Sequence, residues 1–285
     1  MNRIIVTGAN GYIGSRLVRY LKDKGYETVA VSRHDDACFI GTDYSADQLC
    51  SILKKDDIVV HLAAVRSGKT ASDFKDNIVM TKSILDSMLK TKANRMVFIS
   101  SIAVYSALNS PFKEDQSLCS SSLYGESKIQ CEDLCRTYAE ENGIKVQVLR
   151  FPPVYGPYSP NRRALETFVD QAKSNKTIIL TKETDAKRDF LYIEDAIYAI
   201  EKIIETDPER YEVYNISNGN PLNNSELAKI INYVYENKEP VVYDDTKHET
   251  ITDAYMDNSK IISKGISDFH EHEEAFKEIR IAEEN

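Results

Sequence analysis

Val6-Thr7-Gly8-Ala9-Asn10-Gly11-Tyr12-Ile13-Gly14 is the stretch on which the reading of the chain turns. It continues an apolar run, Ile4-Ile5-Val6, and leads into an amphipathic segment over 13–24, so three glycines stand between a strand and a helix. Gly8 permits a tight turn, Gly11 lets backbone approach a bound group, and Gly14 lets the helix lie close to the strand. The helix that starts here points free N–H groups over the turn, where an anion suits them. In a first βαβ unit this is the cradle of a dinucleotide pyrophosphate; the bland alternative is a glycine turn that merely ends a strand.

Short β-branched runs at 3–6, 28–32, 58–62, 96–100 and 146–151 are nearly all apolar, as strands covered on both faces are. Helical stretches at 13–24, 46–54, 72–90 and 124–142 lie between them, two closing on Gly25 and Gly143. The alternation predicts an α/β fold, a Rossmann-type doubly wound parallel sheet. After Phe151, Pro152, Pro153, Gly156, Pro157 and Pro160 form an irregular loop. Helices at 165–174, 193–205 and 225–236 follow, with short strands at 177–180 and 214–216, and a small α/β carboxy-terminal part is expected. The expected division is a dinucleotide-binding domain over 1–160, to which 188–217 returns, and a substrate-binding part over 161–187 and 218–285. The acid-rich stretch 268–285 reads as a solvated terminal helix or a frayed tail.

Composition narrows the partners. Among 285 residues, 36 are Lys or Arg and 45 are Asp or Glu, a net charge of −9. This argues against nucleic acid, which requires a basic surface. No run approaches 18 apolar residues, so no membrane partner is expected. The apolar run at the start leaves no room for a signal peptide, and five cysteines, an odd number, suit a reducing cytoplasm. Cys131 and Cys135 share a helix face without further ligands, so no metal is expected.

The second strand ends Val29-Ala30-Val31-Ser32-Arg33, where a carboxylate would accept the ribose 2′-hydroxyl of NAD. A serine hydroxyl and a guanidinium fork instead suit a 2′-phosphate, hence NADP. The alternative is that Asp35, which Asp36 follows, reaches the ribose of NAD.

Tyr124-Gly125-Glu126-Ser127-Lys128 puts a phenol and an ammonium one turn apart on one helix face. The spacing recurs at Tyr20/Lys24, Tyr198/Lys202 and Tyr243/Lys247. Only Tyr124 opens the helix that follows the strand ending in Ser100-Ser101, and ligands bind at such carboxyl ends. Hydride transfer at a carbinol needs a proton acceptor. A phenol can serve near neutral pH when a lysine ammonium and a cationic nicotinamide ring stabilise its phenolate, while a serine hydroxyl holds the substrate oxygen.

Further motifs follow in order: His61-Leu62-Ala63-Ala64, Asn77-Ile78-Val79-Met80-Thr81, Ser101-Ile102-Ala103-Val104-Tyr105, Arg150-Phe151-Pro152-Pro153-Val154-Tyr155-Gly156-Pro157, Arg188-Asp189-Phe190-Leu191-Tyr192-Ile193 and Asn215-Ile216-Ser217-Asn218-Gly219. With them the chain resembles the extended short-chain dehydrogenase/reductases, the NAD(P)-dependent nucleotide-sugar epimerases, dehydratases and reductases. The resemblance implies that Ser101 is the catalytic serine, Tyr124 the acid/base, and Lys128 the residue that binds the nicotinamide ribose and tunes Tyr124. It implies cofactor contacts from Gly8, Asn10, Gly11, Tyr12, Ile13, Gly14, Ser32 and Arg33, from Asp43 and Tyr44 beside the adenine, and from Leu62, Ala63, Ala64, Asn77, Pro152 and Val154. Arg188 would hold a nucleotide-sugar diphosphate, with Arg66 and Tyr155 also on the substrate side. Arg66 could meet a cofactor phosphate or equally be a solvated loop arginine, and Arg162 and Arg163 could meet an anionic substrate or simply be exposed. His61 reads as a strand-end residue, and a homodimer through helices 72–90 and 124–142 is the family expectation.

Departures from the family pattern sort the reactions. Ile102 and Ala103 stand where 4,6-dehydratases carry an Asp-Glu pair, and Ile102 stands where reductases that also epimerise place a cysteine. What remains is reduction of a 4-keto-sugar nucleotide or 4-epimerisation. Arg33 tilts the expectation to an NADP-dependent reductase. An NAD-dependent 4-epimerase is the alternative, and a non-catalytic NADP sensor is the reading from another class.

Overall fold

Every residue of the run Ile4–Thr7 is buried, which a strand achieves only when helices cover both faces of its sheet. The computed structural model describes residues 3–35, 37–106, 110–160, 164–181, 186–244, 246 and 252–284; Asp36, Arg162, Arg163 and Lys247 lie outside them. The strands are β1 (Ile4–Thr7), β2 (Thr28–Ser32), β3 (Ile40–Gly41), β4 (Ile58–His61), β5 (Arg95–Ser101), β6 (Lys145–Phe151), β7 (Val154–Tyr155), β8 (Ile178–Thr181), β9 (Leu191–Tyr192), β10 (Tyr211–Asn215) and β11 (Val241–Asp244). The helices are α1 (Tyr12–Asp23), α2 (Ala46–Ile52), α3 (Ala71–Thr91), α4 (Leu123–Asn142), α5 (Ala164–Lys173), α6 (Ile193–Glu205), α7 (Asn224–Val234), α8 (Ser259–Ser263) and α9 (His272–Glu284).

The chain forms two compact units, one of residues Met1–Ser106, Glu114–Phe151 and Ala196–Ile216, the other of Ala107–Lys113, Pro152–Asp195 and Ser217–Asn285. The first holds a seven-stranded sheet in the order β10-β6-β5-β4-β1-β2-β3. All its pairings are parallel, with Val6 between Ala30 and Val60. The expected doubly wound α/β fold is therefore present, with β3 added at one edge; two residues are too short to show a period. On one face Ile5, Val31, Val59, Phe98 and Val148 meet Leu49 of α2, Ile84 and Met88 of α3, and Cys131 and Cys135 of α4. The opposite face carries α1 and α6, where Tyr20 donates to Glu201 at 2.7 Å. Arg95, buried at the start of β5, closes α6 by donating to the carbonyls of Ile204 (2.8 Å) and Ile203 (2.5 Å). The strand order reverses beside β1, between β4 and β2, and the crevice at such a reversal is where α/β sheets bind ligands.

Behind the carboxyl end of β5 lies a buried polar cluster. The Glu132 carboxylate accepts from Arg150 Nη2 at 2.6 Å and Nε at 3.1 Å, and from Ser100 Oγ at 2.5 Å. Arg150 also donates to the Tyr105 hydroxyl (2.6 Å), which donates to Asn215 (2.7 Å). Charge, hydrogen bonds and burial coincide here, so α4, β5 and β6 are locked in one arrangement.

The second unit has two parallel strand pairs, β8 with β11 and β7 with β9. Its terminal stretch corrects the sequence expectation. Helix α9 is no solvated tail: His272, Ala275, Phe276 and Ile279 are buried, an i, i+3, i+4, i+7 stripe, while the acids occupy the other face. Among the described residues no helix is long and apolar enough to cross a membrane.

Candidate functional site

A cavity of about 450 Å³ opens over the glycine turn. Its lining includes Gly8, Asn10, Gly11, Tyr12, Ile13 and Gly14, together with Arg33, Asp43, Tyr44, Leu62, Ala63, Ala64, Val65 and Arg66. Gly8 has φ +68°, and a Cβ there would lie 2.7 Å from the Ala63 nitrogen. A Cβ at Gly14 would overlap the Gly8 carbonyl oxygen. The N-cap of α1 is Gly11, which offers no side-chain cap, no acid stands in the first turn, and Tyr12, Ile13 and Gly14 of that turn line the cavity. Geometry and polarity together suit an anionic pyrophosphate.

At the far end of β2, the residues of the NAD/NADP question separate. Arg33 is exposed and lines the cavity. Ser32 does not: it is 1% exposed, and its hydroxyl donates to the His34 carbonyl (3.2 Å) while accepting from the His34 N–H (3.0 Å). The hydroxyl expected at the cofactor thus holds the turn after β2. Asp35 accepts from the Gly41 N–H at 3.1 Å and fixes β3. Asp43, kept below the usual carboxylate range by its bond from Ser45, and Tyr44 complete this end. Burial raises the Tyr44 phenol, opposed by the Gly8 backbone, Arg33 and Thr7.

Asn77 is not in the cavity lining. It is buried in α3, where Oδ1 accepts from the Val65 N–H (2.7 Å) and Nδ2 donates to the Val65 carbonyl (3.0 Å), fixing the wall over 62–66. The α3 residues that do line the cavity are Asp76, Val79 and Met80. Sequence reasoning missed them as contacts, although i, i+3, i+4 spacing marks them as one face.

Ser101 ends β5, and its Oγ accepts from the Ala103 N–H at 3.2 Å, which leaves the hydroxyl proton to be donated. Tyr124 lies in the first turn of α4, with Ser122 as the helix cap. A Cβ at Gly125 would overlap the Ala103 carbonyl oxygen, so glycine there brings the tyrosine turn against the residues following Ser101. Lys128 is buried, donates to the Ile99 carbonyl at 2.8 Å, and holds its ammonium 5.9 Å from the centre of the Tyr124 ring. His61, as expected, is a strand-end residue: burial, then the charge of Lys128, push its pKa down to about 3. The Thr81 hydroxyl donates to the Asn77 carbonyl at 2.8 Å, which assigns the tautomer: the neutral ring donates from Nε2 to Thr81 (3.1 Å) and accepts from Thr7 at Nδ1 (2.8 Å).

The model of the NAD dependent epimerase/dehydratase family matches residues 4–217, the span from the first strand through β10. The chain belongs to this family. Across 287 residues it is 26% identical to an uncharacterized UDP-glucose epimerase of Bacillus subtilis, covering 90% of each chain. Among solved structures it is similar to UDP-N-acetylglucosamine 4-epimerase from Bacillus cereus, at 29% identity and TM-score 0.89, over 100% of this chain and 97% of that one. It shares the fold of the Thermus thermophilus UDP-glucose 4-epimerase solved with NAD, at 19% identity and TM-score 0.82, over 98% and 99%. The chain is thus an enzyme of the NAD(P)-dependent short-chain dehydrogenase/reductase type.

Pro152, Val154, Tyr155 and Arg188 fall in the second unit. Tyr155, expected on the substrate side, is 2% exposed, and its hydroxyl bonds His272 Nδ1 at 3.1 Å, anchoring α9. Arg188 is half-buried and exchanges backbone hydrogen bonds with Leu222. Arg66, expected near substrate or a phosphate, lines the cavity of the first unit. Among the described residues no group of His, Cys, Asp and Glu is placed to hold a metal ion.

Proposed function

We propose that this enzyme interconverts the C4 epimers of a nucleotide-linked sugar, with NAD retained in the cavity over the glycine turn. The observation that carries this is the likeness, along the whole chain, to a UDP-N-acetylglucosamine 4-epimerase. A uridine diphosphate sugar is accordingly the substrate class proposed. Ile102 and Ala103 support the choice, since neither side chain can move the protons a dehydration requires.

NAD supplies a hydride acceptor that later returns the hydride, so the sugar leaves with no net change in oxidation state. Tyr124 is proposed to take the proton of the 4-hydroxyl as the C4–H bond breaks, and to give it back when that bond re-forms on the other face. Ser101 donates its free proton to the same oxygen, and the Lys128 ammonium stabilises the phenolate. Gly8, Gly11 and the start of α1 hold the pyrophosphate, and Asp43 and Tyr44 flank the adenosine end.

Arg33 favours a second reading, net reduction of a keto-sugar nucleotide by NADPH, because its guanidinium lines the adenosine end of the cavity. One experiment separates the two. The dinucleotide released on denaturation is identified, and the intact enzyme is incubated with UDP-hexoses and no added cofactor. Released NAD and an equilibrium mixture of 4-epimers support the epimerase. An empty site, no epimer formed, and NADPH consumed only once it is added together with a 4-keto-sugar nucleotide support the reductase.

A further inference from the structure

A line of buried hydrogen bonds crosses the first unit from the glycine turn to the tyrosine turn. Thr7, the residue before Gly8, donates to His61 Nδ1 at 2.8 Å, and His61 Nε2 donates to Thr81 Oγ1 at 3.1 Å. Thr81 donates to the Asn77 carbonyl at 2.8 Å. Asn77 Nδ2 donates to Ser127 Oγ at 3.1 Å, and Ser127 donates to the Tyr124 carbonyl at 2.7 Å. The side chains of Thr7, His61, Asn77, Thr81 and Ser127 belong to residues no more than 3% exposed. Asn77 also grips the Val65 backbone, which forms part of the cavity wall.

The bond directions are mutually consistent. The neutral imidazole has one donor and one acceptor nitrogen, each threonine hydroxyl donates once along the line, and the Asn77 amide uses both its oxygen and its nitrogen. Buried bonds of this kind hold one geometry, because breaking one strands a polar group away from water. Ser127 neither lines the cavity nor belongs to the proposed reacting trio, yet it is the joint between the cavity wall and the turn that carries Tyr124.

We infer that Ser127 and Asn77 are positioning residues that couple seating of the dinucleotide to placement of Tyr124. Binding against the wall over 62–66 and orientation of the tyrosine turn then draw on one bonded framework. The inference rests on the proposed dinucleotide site, but its framework can be read without it.

The test compares the full-length parent with Ser127→Ala, Thr81→Val and, as a control, Thr91→Val. Thr91 makes the same kind of back-bond, to the Ser87 carbonyl at 2.8 Å, away from the line. Two quantities are read: hydrogen exchange of the Val65 amide, and NADH affinity by fluorescence titration of cofactor-stripped protein. Ser127→Ala and Thr81→Val are expected to speed Val65 exchange and weaken NADH binding several-fold, with Thr91→Val like the parent. Where the parent turns over a UDP-sugar, Ser127→Ala lowers kcat more than it raises KM. Unchanged Val65 exchange, exchange raised evenly across the whole unit, or altered exchange with unaltered NADH affinity would overturn the coupling. A parent that binds no dinucleotide would instead sink the proposed function, and Val65 exchange alone would still decide whether the framework exists.

Discussion

Glu132 and Arg150 meet at 2.6 Å with side chains 0% and 1% exposed, eighteen residues apart and on different elements. Burial by itself would lower the Arg150 pKa, and its bonds to the Glu132 carboxylate and the charge of that group outweigh burial and raise it. Removing one partner leaves the other charge buried and alone, which costs about 3–5 kcal/mol. Glu132→Ala is therefore expected to lose most of the stability of the first unit, measured as a fall in denaturant midpoint. The double variant Glu132→Leu/Arg150→Met is expected to be more stable than Glu132→Ala, since no charge is stranded.

Tyr124→Phe keeps the ring and removes the proton carrier. Turnover is expected to fall about 100- to 10,000-fold, the usual contribution of a positioned acid/base. NADH affinity, measured by fluorescence, should stay within a factor of about two, because a removed acid/base is a loss specific to the transition state. Weak binding with normal turnover would reverse the assignment.

Arg33 gives a direct reading of the cofactor. A charge-assisted fork to a 2′-phosphate is worth roughly tenfold or more in affinity. Arg33→Ser should weaken NADPH binding by about that factor and leave NADH nearly unchanged, as compared in paired titrations. Equal losses for both would place the guanidinium on a group the two cofactors share.

Asp189 sets part of the pH dependence of stability. Burial raises its pKa to about 6, against bonds from Met256 and Ser217 that lower it. Below the unfolded value, about 4, the carboxyl is protonated in both states and imposes no cost. As pH rises toward 6 the unfolded chain ionises first, so the folded state loses stability, on the order of 3 kcal/mol by neutral pH. Asp189→Asn removes the titration and keeps an acceptor for the Met256 N–H, which reaches Asp189 at 2.7 Å. The difference between parent and variant unfolding free energies should grow from pH 4 to pH 6 and then level. His61 opposes the trend in the parent, since its folded pKa of about 3 costs stability as pH falls below the usual imidazole value, but it cancels in the difference.

How far the sequence carried depended on the range of the interaction. The glycine turn was legible because Gly8 and Gly14 answer local steric demands that no other residue meets. The parallel sheet was legible because a doubly covered strand is apolar throughout. The bond between Ser32 and His34 was hidden, since a serine hydroxyl beside an arginine looks the same whether it turns to a ligand or back to the chain. The bonds by which Asn77 grips the Val65 backbone, and so shapes the cavity wall, were equally hidden, because the direction of an amide side chain is not written in its position on a helix. Glu132–Arg150 could not be picked out from 45 acids and 36 bases without the fold to join them. The stripe from His272 to Ile279 was readable in principle, and the surrounding acids drew attention from it.

The sheet of the first unit has a consequence for how the chain emerges from a ribosome. Strand β6 ends at Phe151, and its outer neighbour β10 begins only at Tyr211, 60 residues later. Throughout that interval of synthesis β6 presents an unpaired row of backbone donors and acceptors, the feature by which nascent chains pair wrongly with one another. The delay falls while the residues 152–195 of the other unit are being made, so a translational pause in that segment prolongs the exposed state and a fast passage through it shortens it.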